Sequence, residues 1–359
     1  MLMDIAVQLT RSVLILLIIF GTIGNTLNLF IFTRPKLLRS SCTLYFIAVS
    51  IDNILAIYLA VLYRLLIDGF SIDVGSLSPI ICKLRAYFGY MALSLSPYLF
   101  ILACFDRYCS SSPSIIHRSW SNKKIAKRCI CGAIALVAIL YSHMVIYFET
   151  QSNGSNIICY PQQGIYDSFW RIFYLVIYCF FPSMCMSLLC LLIAINIRHY
   201  SRQIEPALAN VSDLHRRLDR NLIRILFSHY STQTLCILPF AIVNLLGMFI
   251  NRNTLIYSFF LRILTLPLFA SYTTNFYVNT MSSRIYRREL IKLFSSCKWK
   301  LFRDDRNWFV SYVDNLIFLQ SQAANNGKDR TTIEDDIPLV VTHPKIIISY
   351  QWDYQKDIG

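Results

Sequence analysis

The stretch Ser12–Thr33, SVLILLIIFGTIGNTLNLFIFT, runs for 22 residues without a charge. At a rise of about 1.5 Å per residue, roughly 20 such residues cross the hydrocarbon of a bilayer as a helix. The same reading extends along the chain to Ala86–Phe105, Cys129–Phe148, Ile172–Ile197, Ile225–Asn251 and Ile263–Ser283, all free of charge. Thr43–Tyr63 is similar, with Asp52 as its single charge. These seven stretches predict an all-α membrane protein, a seven-transmembrane helix bundle. Composition agrees. Of 359 residues, 55% are hydrophobic and 15% charged, where a soluble domain carries about 25% charged. A soluble enzyme core, a coiled coil and a nucleic-acid reader are excluded, so no nucleic acid is expected as partner and the lipid bilayer is the first one.

Charge sets the orientation. With the N-terminus outside, loops 34–42, 106–128, 198–224 and 284–300 carry 21 Lys and Arg, against 7 in segments 1–11, 64–85, 149–171 and 252–262. The positive-inside rule then puts the N-terminus outside and the tail in the cytoplasm. The net charge of +14 is explained by those inner loops. The first apolar run is too long for a signal-peptide core and has no small-residue cleavage site behind it, so it reads as span one. The expected division is an extracellular segment 1–11, a membrane domain 12–296 and a mostly flexible cytoplasmic tail 297–359. Asn153-Gly154-Ser155 is a glycosylation acceptor in an outer loop.

Most of the 12 cysteines fall inside spans or on the cytoplasmic side. Cys82 and Cys159 alone lie on the oxidising side, where pairing would pin the loop between spans four and five across the mouth of the bundle; two free thiols are the alternative.

Asp106-Arg107-Tyr108 closes span three, with Arg107 lying 25 residues after Cys82. Gly24-Asn25 in span one, Asp52 in span two, Pro182 in span five, Cys236 and Pro239 in span six and Asn275 in span seven follow in order. In this the chain resembles the rhodopsin-like (class A) G-protein-coupled receptors over residues 12 to 296. More loosely it is similar to invertebrate neuropeptide receptors of the FMRFamide-receptor-like kind. After span seven, Ile285, Leu290, Leu293 and Phe294 alternate with basic residues. That pattern suits a short amphipathic eighth helix on the membrane surface, which the family also has. Cys297 just beyond it is a palmitoylation candidate.

The resemblance implies a plasma-membrane receptor, with no catalytic residues, that passes binding of an extracellular ligand to a heterotrimeric G protein by outward movement of helix six. It also implies arrestin as a candidate partner. Asp106, Arg107 and Tyr108 become the coupling motif, with Asp219 the partner that ties Arg107 to span six. Asn25, Asp52, Ser96 and Asn275 become a polar network able to hold a sodium ion as an allosteric modulator. Such a site fits the chemistry, because a carboxylate at mid-membrane needs partners or water. For the ligand, a span-three carboxylate (amine receptors) and a span-seven lysine (light receptors) are absent; Gly89 and Phe269 stand there. Arg64, Arg85, Arg171 and Arg262 at the outer ends, with Tyr90 beside Gly89, suggest a cationic, aromatic pocket suited to an anionic or peptide ligand. Snorkelling to headgroups is the plainer account of those arginines.

Several family markers are missing. Ile237 stands where the span-six tryptophan is usual, Gln233 replaces a phenylalanine, Cys190 a tyrosine, and Asn275-Phe276-Tyr277-Val278-Asn279 departs from Asn-Pro-x-x-Tyr. Pro97 inside span three is also unusual. The switch must therefore be built differently, or the protein binds without signalling. A transporter is disfavoured because the halves show no repeat, and an enzyme because no metal or carboxylate motif is present. In the tail, Pro344–Asp353 is similar to the opening strand of Toll/interleukin-1-receptor domains but too short to fold as one.

Overall fold

The computed structural model describes residues 2–112, 114–153, 156–203, 209–247, 249–250 and 254–295. At 2, 152–153, 156–158, 197–203 and 209–220 the backbone alone is described. Among the described residues, seven helices are long and apolar enough to cross a membrane. They are α1 (Met3–Phe32), α2 (Cys42–Gly69), α3 (Pro79–Ser111), α4 (Lys123–Tyr147), α5 (Ile165–Asn196), α6 (Asn221–Leu246) and α7 (Leu255–Thr273). Helix resumes after Thr274 over Asn275–Ser282, and residues 284–295 form α8. The chain beyond Leu293 belongs to a second unit, described only at its first two residues, so Cys297 and the tail lie outside the described residues.

Local chemistry starts the helices where the polar residues stand. Ser78 accepts from the Ile80 N–H at 3.3 Å, and Pro79 follows at the first helical position, where its missing N–H leaves no gap. Asn122 opens α4 by accepting from Lys124 and Ile125 at 2.9 and 3.0 Å. Thr254 does the same for α7.

The bundle is centred on α3. Its apolar window is 67% buried against 22% for α4, so α3 is the axis and α4 a peripheral, lipid-facing strut. Residues such as Ile139, Met184, Leu188 and Leu191 are more than half exposed on the outside. In water such a surface would aggregate; in lipid it is the required face. Spans α1, α2 and α7 approach closely at Gly21, where a side chain's first carbon would stand 2.6 Å from Thr273.

Two spans carry widened i→i+5 turns, Ile57–Val61 and Leu65–Gly69 in α2 and Leu175–Phe180 in α5. Such turns mark functional places in helices, and the α5 turn sits just above Pro182. Between α4 and α5 the chain forms a hairpin of β1 (Phe148–Asn153) and β2 (Asn156–Pro161), with Thr150 opposite Cys159. Cys159 is disulfide-bonded to Cys82 at the outer end of α3, which closes the alternative of two free thiols. Asn153 lies at the β1 end of this hairpin; its side chain is outside the described residues.

Candidate functional site

Among the described residues, polar groups stand at five levels along the bundle axis. At the outer end a cavity of about 340 Å³ opens beneath the hairpin. Arg64, Arg85, Arg171, Gly89 and Tyr90 all line it. Arg262 is not among the lining residues. Its guanidinium reaches the buried Asp68 instead, 3.5 Å from the carboxylate and 3.3 Å from the backbone oxygen. Asp68 also pairs with Arg64. Arg171 is bound bidentately to Asp167 one turn away, at 3.1 and 3.0 Å. Aromatic rings form the remaining wall. Tyr90 meets Trp170 edge-on at 4.7 Å and Tyr174 at 5.4 Å, spacings at which ring quadrupoles attract.

Below the cavity, α3 contains Pro97, which lacks an N–H and so leaves the carbonyl of Leu93 without its helical donor. Tyr272 of α7 fills that gap, donating to Leu93 O at 2.6 Å. Its oxygen in turn lies 2.5 Å from the hydroxyl of Tyr178 in α5, which donates to it. A proline that looked anomalous in the sequence thus creates the acceptor on which α3, α5 and α7 meet. Tyr178 and Tyr272 carried no motif signal of their own.

At mid-membrane Asp52 is 3% exposed, and one of its carboxylate oxygens has no hydrogen-bond partner among the described residues. The backbone of Ser96 lies against the carboxylate. Ser96 and Asn275 line a cavity of about 10 Å³, near the lower limit for one water. Asn25 bonds to other partners. It donates to the carbonyls of Gly21 and Tyr272, and accepts from Asn53 at 3.2 Å. Among the described residues, the expected four stand as Asp52 against the Ser96 backbone, Ser96 and Asn275 beside the small cavity, and Asn25 bonded to Tyr272 and Asn53.

Toward the inner end, a chain of side chains that the sequence reading did not single out crosses the bundle. His229 of α6 donates through Nε2 to Asn279 Oδ1 at 2.7 Å. Asn279 Nδ2 donates to Asn28 Oδ1 of α1 at 3.0 Å, and Tyr286 of α8 donates to the same oxygen at 2.5 Å. Burial pushes the Tyr286 phenol up, keeping it a protonated donor. The signal was present: Asn25 with Asn28, and Asn275 with Asn279, recur at helical spacing inside apolar runs.

At the inner end Arg107 donates from Nη2 and Nε to one oxygen of Asp106, at 2.6 and 3.1 Å, with both side chains 3% exposed. The other Asp106 oxygen accepts from Ser41 at 2.7 Å and Ser121 at 3.1 Å. Tyr108 follows with its ring against His117. Asp219 is in the inward extension of α6, and its side chain lies outside the described residues.

The description of the 7 transmembrane receptor (rhodopsin family) matches residues 24–277, well over half of the chain. The chain belongs to that family. It is also 24% identical over 332 residues to a Caenorhabditis elegans protein named "Probable G-protein coupled receptor B0563.6", the match spanning 87% of this chain and 76% of that one. Membership makes it a multi-pass membrane receptor of the G-protein-coupled class. The family is one of receptors, with a G protein inside and a ligand outside as the partners it implies.

Proposed function

We propose that the protein sits in the plasma membrane with its N-terminus outside, binds a peptide in the outer cavity, and activates a heterotrimeric G protein through outward movement of α6. The observation that carries this reading is the buried Asp106–Arg107 pair at the inner end of the bundle axis, below a cavity walled by arginines and aromatic rings. A desolvated guanidinium held by a neighbouring carboxylate is a stored contact. When α6 leaves, Arg107 is free to meet the G protein's C-terminal helix, and Asp219 is the candidate that restrains it at rest. In this reading α8 lies on the inner leaflet, Asn153 carries a glycan, Cys297 takes a palmitoyl chain, and arrestin competes for the same inner face.

A sodium ion fits the chemistry around Asp52, whose orphaned oxygen asks for a cation or a donor. Asp52 and Ser96 would hold it, and the ion would favour the resting arrangement. Asn25 is committed elsewhere and would not be a ligand.

The missing markers at Ile237, Gln233, Cys190 and Asn279 favour a second reading, a receptor that binds without signalling. One experiment separates the two. Cells expressing the chain are challenged with a neuropeptide library, and G-protein activation is recorded for wild type and Arg107→Ala. Activation that is lost in the variant at equal surface expression supports coupling. A wild type that binds peptides but never activates supports the second reading, and unchanged signalling in Arg107→Ala removes the arginine's role.

A further inference from the structure

The four outer arginines differ in what they already hold. Arg64 and Arg262 share the carboxylate of Asp68, and Arg171 is clamped by Asp167. Among the described residues, Arg85 has no such partner. Its guanidinium lies 3.7 Å from the centre of the Tyr63 ring, its Nη2 finds only the Cys159 sulfur at 3.6 Å, and its Nε makes no hydrogen bond among the described residues. Two carboxylates share the cavity wall with it and both are occupied, Asp167 by Arg171 and Asp73 by other donors. One Asp73 oxygen accepts from Tyr63 OH at 2.7 Å and from the Gly75 N–H at 2.8 Å, while the other faces the Cys159 N–H at 3.4 Å. Asp73 therefore caps a turn and braces the hairpin.

We infer that Arg85 is the anion-recognising residue of the outer cavity and that the ligand presents it with a carboxylate attached to an aromatic or apolar body. This deepens the receptor reading above and rests on it. An arginine stacked on an aromatic face has its fork fixed in advance, and a carboxylate matches that fork with two parallel hydrogen bonds. The aromatic part of the wall, Tyr90, Trp170 and Tyr174, supplies the surface for the apolar body. An amidated peptide terminus would leave the guanidinium unmatched. The ligand is therefore a peptide with a free C-terminus or acidic side chain, or a free organic acid.

The test uses the purified full-length chain and reads the melting temperature with added probes. N-acetylphenylalanine is compared with its neutral amide and with a short peptide ending in phenylalanine as the free acid. The acid should raise the melting temperature and the amide should not. That shift should vanish in Arg85→Gln, return in part in Arg85→Lys, and persist in Lys83→Gln, a neighbouring cation outside the cavity wall. A larger shift with the peptide than with the small acid assigns a peptide terminus, and the reverse assigns an organic acid. Equal shifts for acid and amide, no shift at all, or a shift retained in Arg85→Gln overturns the assignment. Nucleotide exchange on an added G protein, measured without probes in the same preparation, reports on the receptor reading separately.

Discussion

Asp106 and Arg107 neutralise each other, yet they keep their geometry because Ser41 and Ser121 hold the carboxylate from two other segments of the chain. A hydrogen bond to a charged group contributes about 1.5–3 kcal/mol, and about 1.4 kcal/mol is a factor of ten in an equilibrium. Replacing both serines by alanine should therefore raise basal G-protein activation at least about tenfold by loosening the resting pair. Basal activity unchanged in the double variant would mean the serines only fill space. At the same scale, Asp52→Asn should abolish any stabilisation of the purified protein by sodium over potassium while leaving its fold intact. Sodium sensitivity that survives would place the ion elsewhere. The Asp-Arg-Tyr run and the lone charge of α2 could be read directly, because each is a polar residue in an apolar setting. Their partners could not. Each partner depends on helix rotation, and one residue turns a helix by about 100°. That is why Asn25 faces Asn53 and Tyr272 rather than Asp52, and Arg262 faces Asp68 rather than the cavity.

Between elements, Pro97 and Tyr272 form one device made of two changes. Tyr272→Phe strands the Leu93 carbonyl and should destabilise the bundle by about 1–3 kcal/mol. Pro97→Ala returns an N–H to that carbonyl, so Tyr272→Phe should be much less harmful in that background. A double-mutant cycle of melting temperatures checks this, and strictly additive losses would refute the link. The relay from His229 through Asn279 and Asn28 to Tyr286 joins α6, the helical segment after α7, α1 and α8 in the same manner. It occupies the place where the family's tyrosine switch is missing. Asn279→Ala should shift basal signalling by severalfold in cells, whereas Asn279→Tyr tests whether the family's own residue can substitute. The spans themselves were visible in the chain, because lipid tolerates only long apolar helices. These cross-links were not, because their members lie up to 258 residues apart.

For the molecule as a whole, the Cys82–Cys159 bond fixes the hairpin over the outer cavity and closes a loop across 77 positions. Disulfides of this kind contribute about 2–4 kcal/mol. Cys82→Ser and Cys159→Ser should lower surface expression and ligand binding to the same extent, and the double variant should be no worse. Losses that add would show the two sulfurs acting independently. The pairing was legible from the compartment each cysteine occupies. The cavity beneath it was not, since its shape depends on how the hairpin and five spans come together.

The widened turn at Leu175–Phe180 carries a practical warning for anyone placing a ligand by analogy. An extra residue in one turn rotates everything above it by about 100°. A position-by-position transfer from a relative with a regular fifth helix would thus aim the wrong side chains inward. Contacts copied from such a template would slip by one place, exchanging Tyr174 and Arg171 for the residues beside them in the chain.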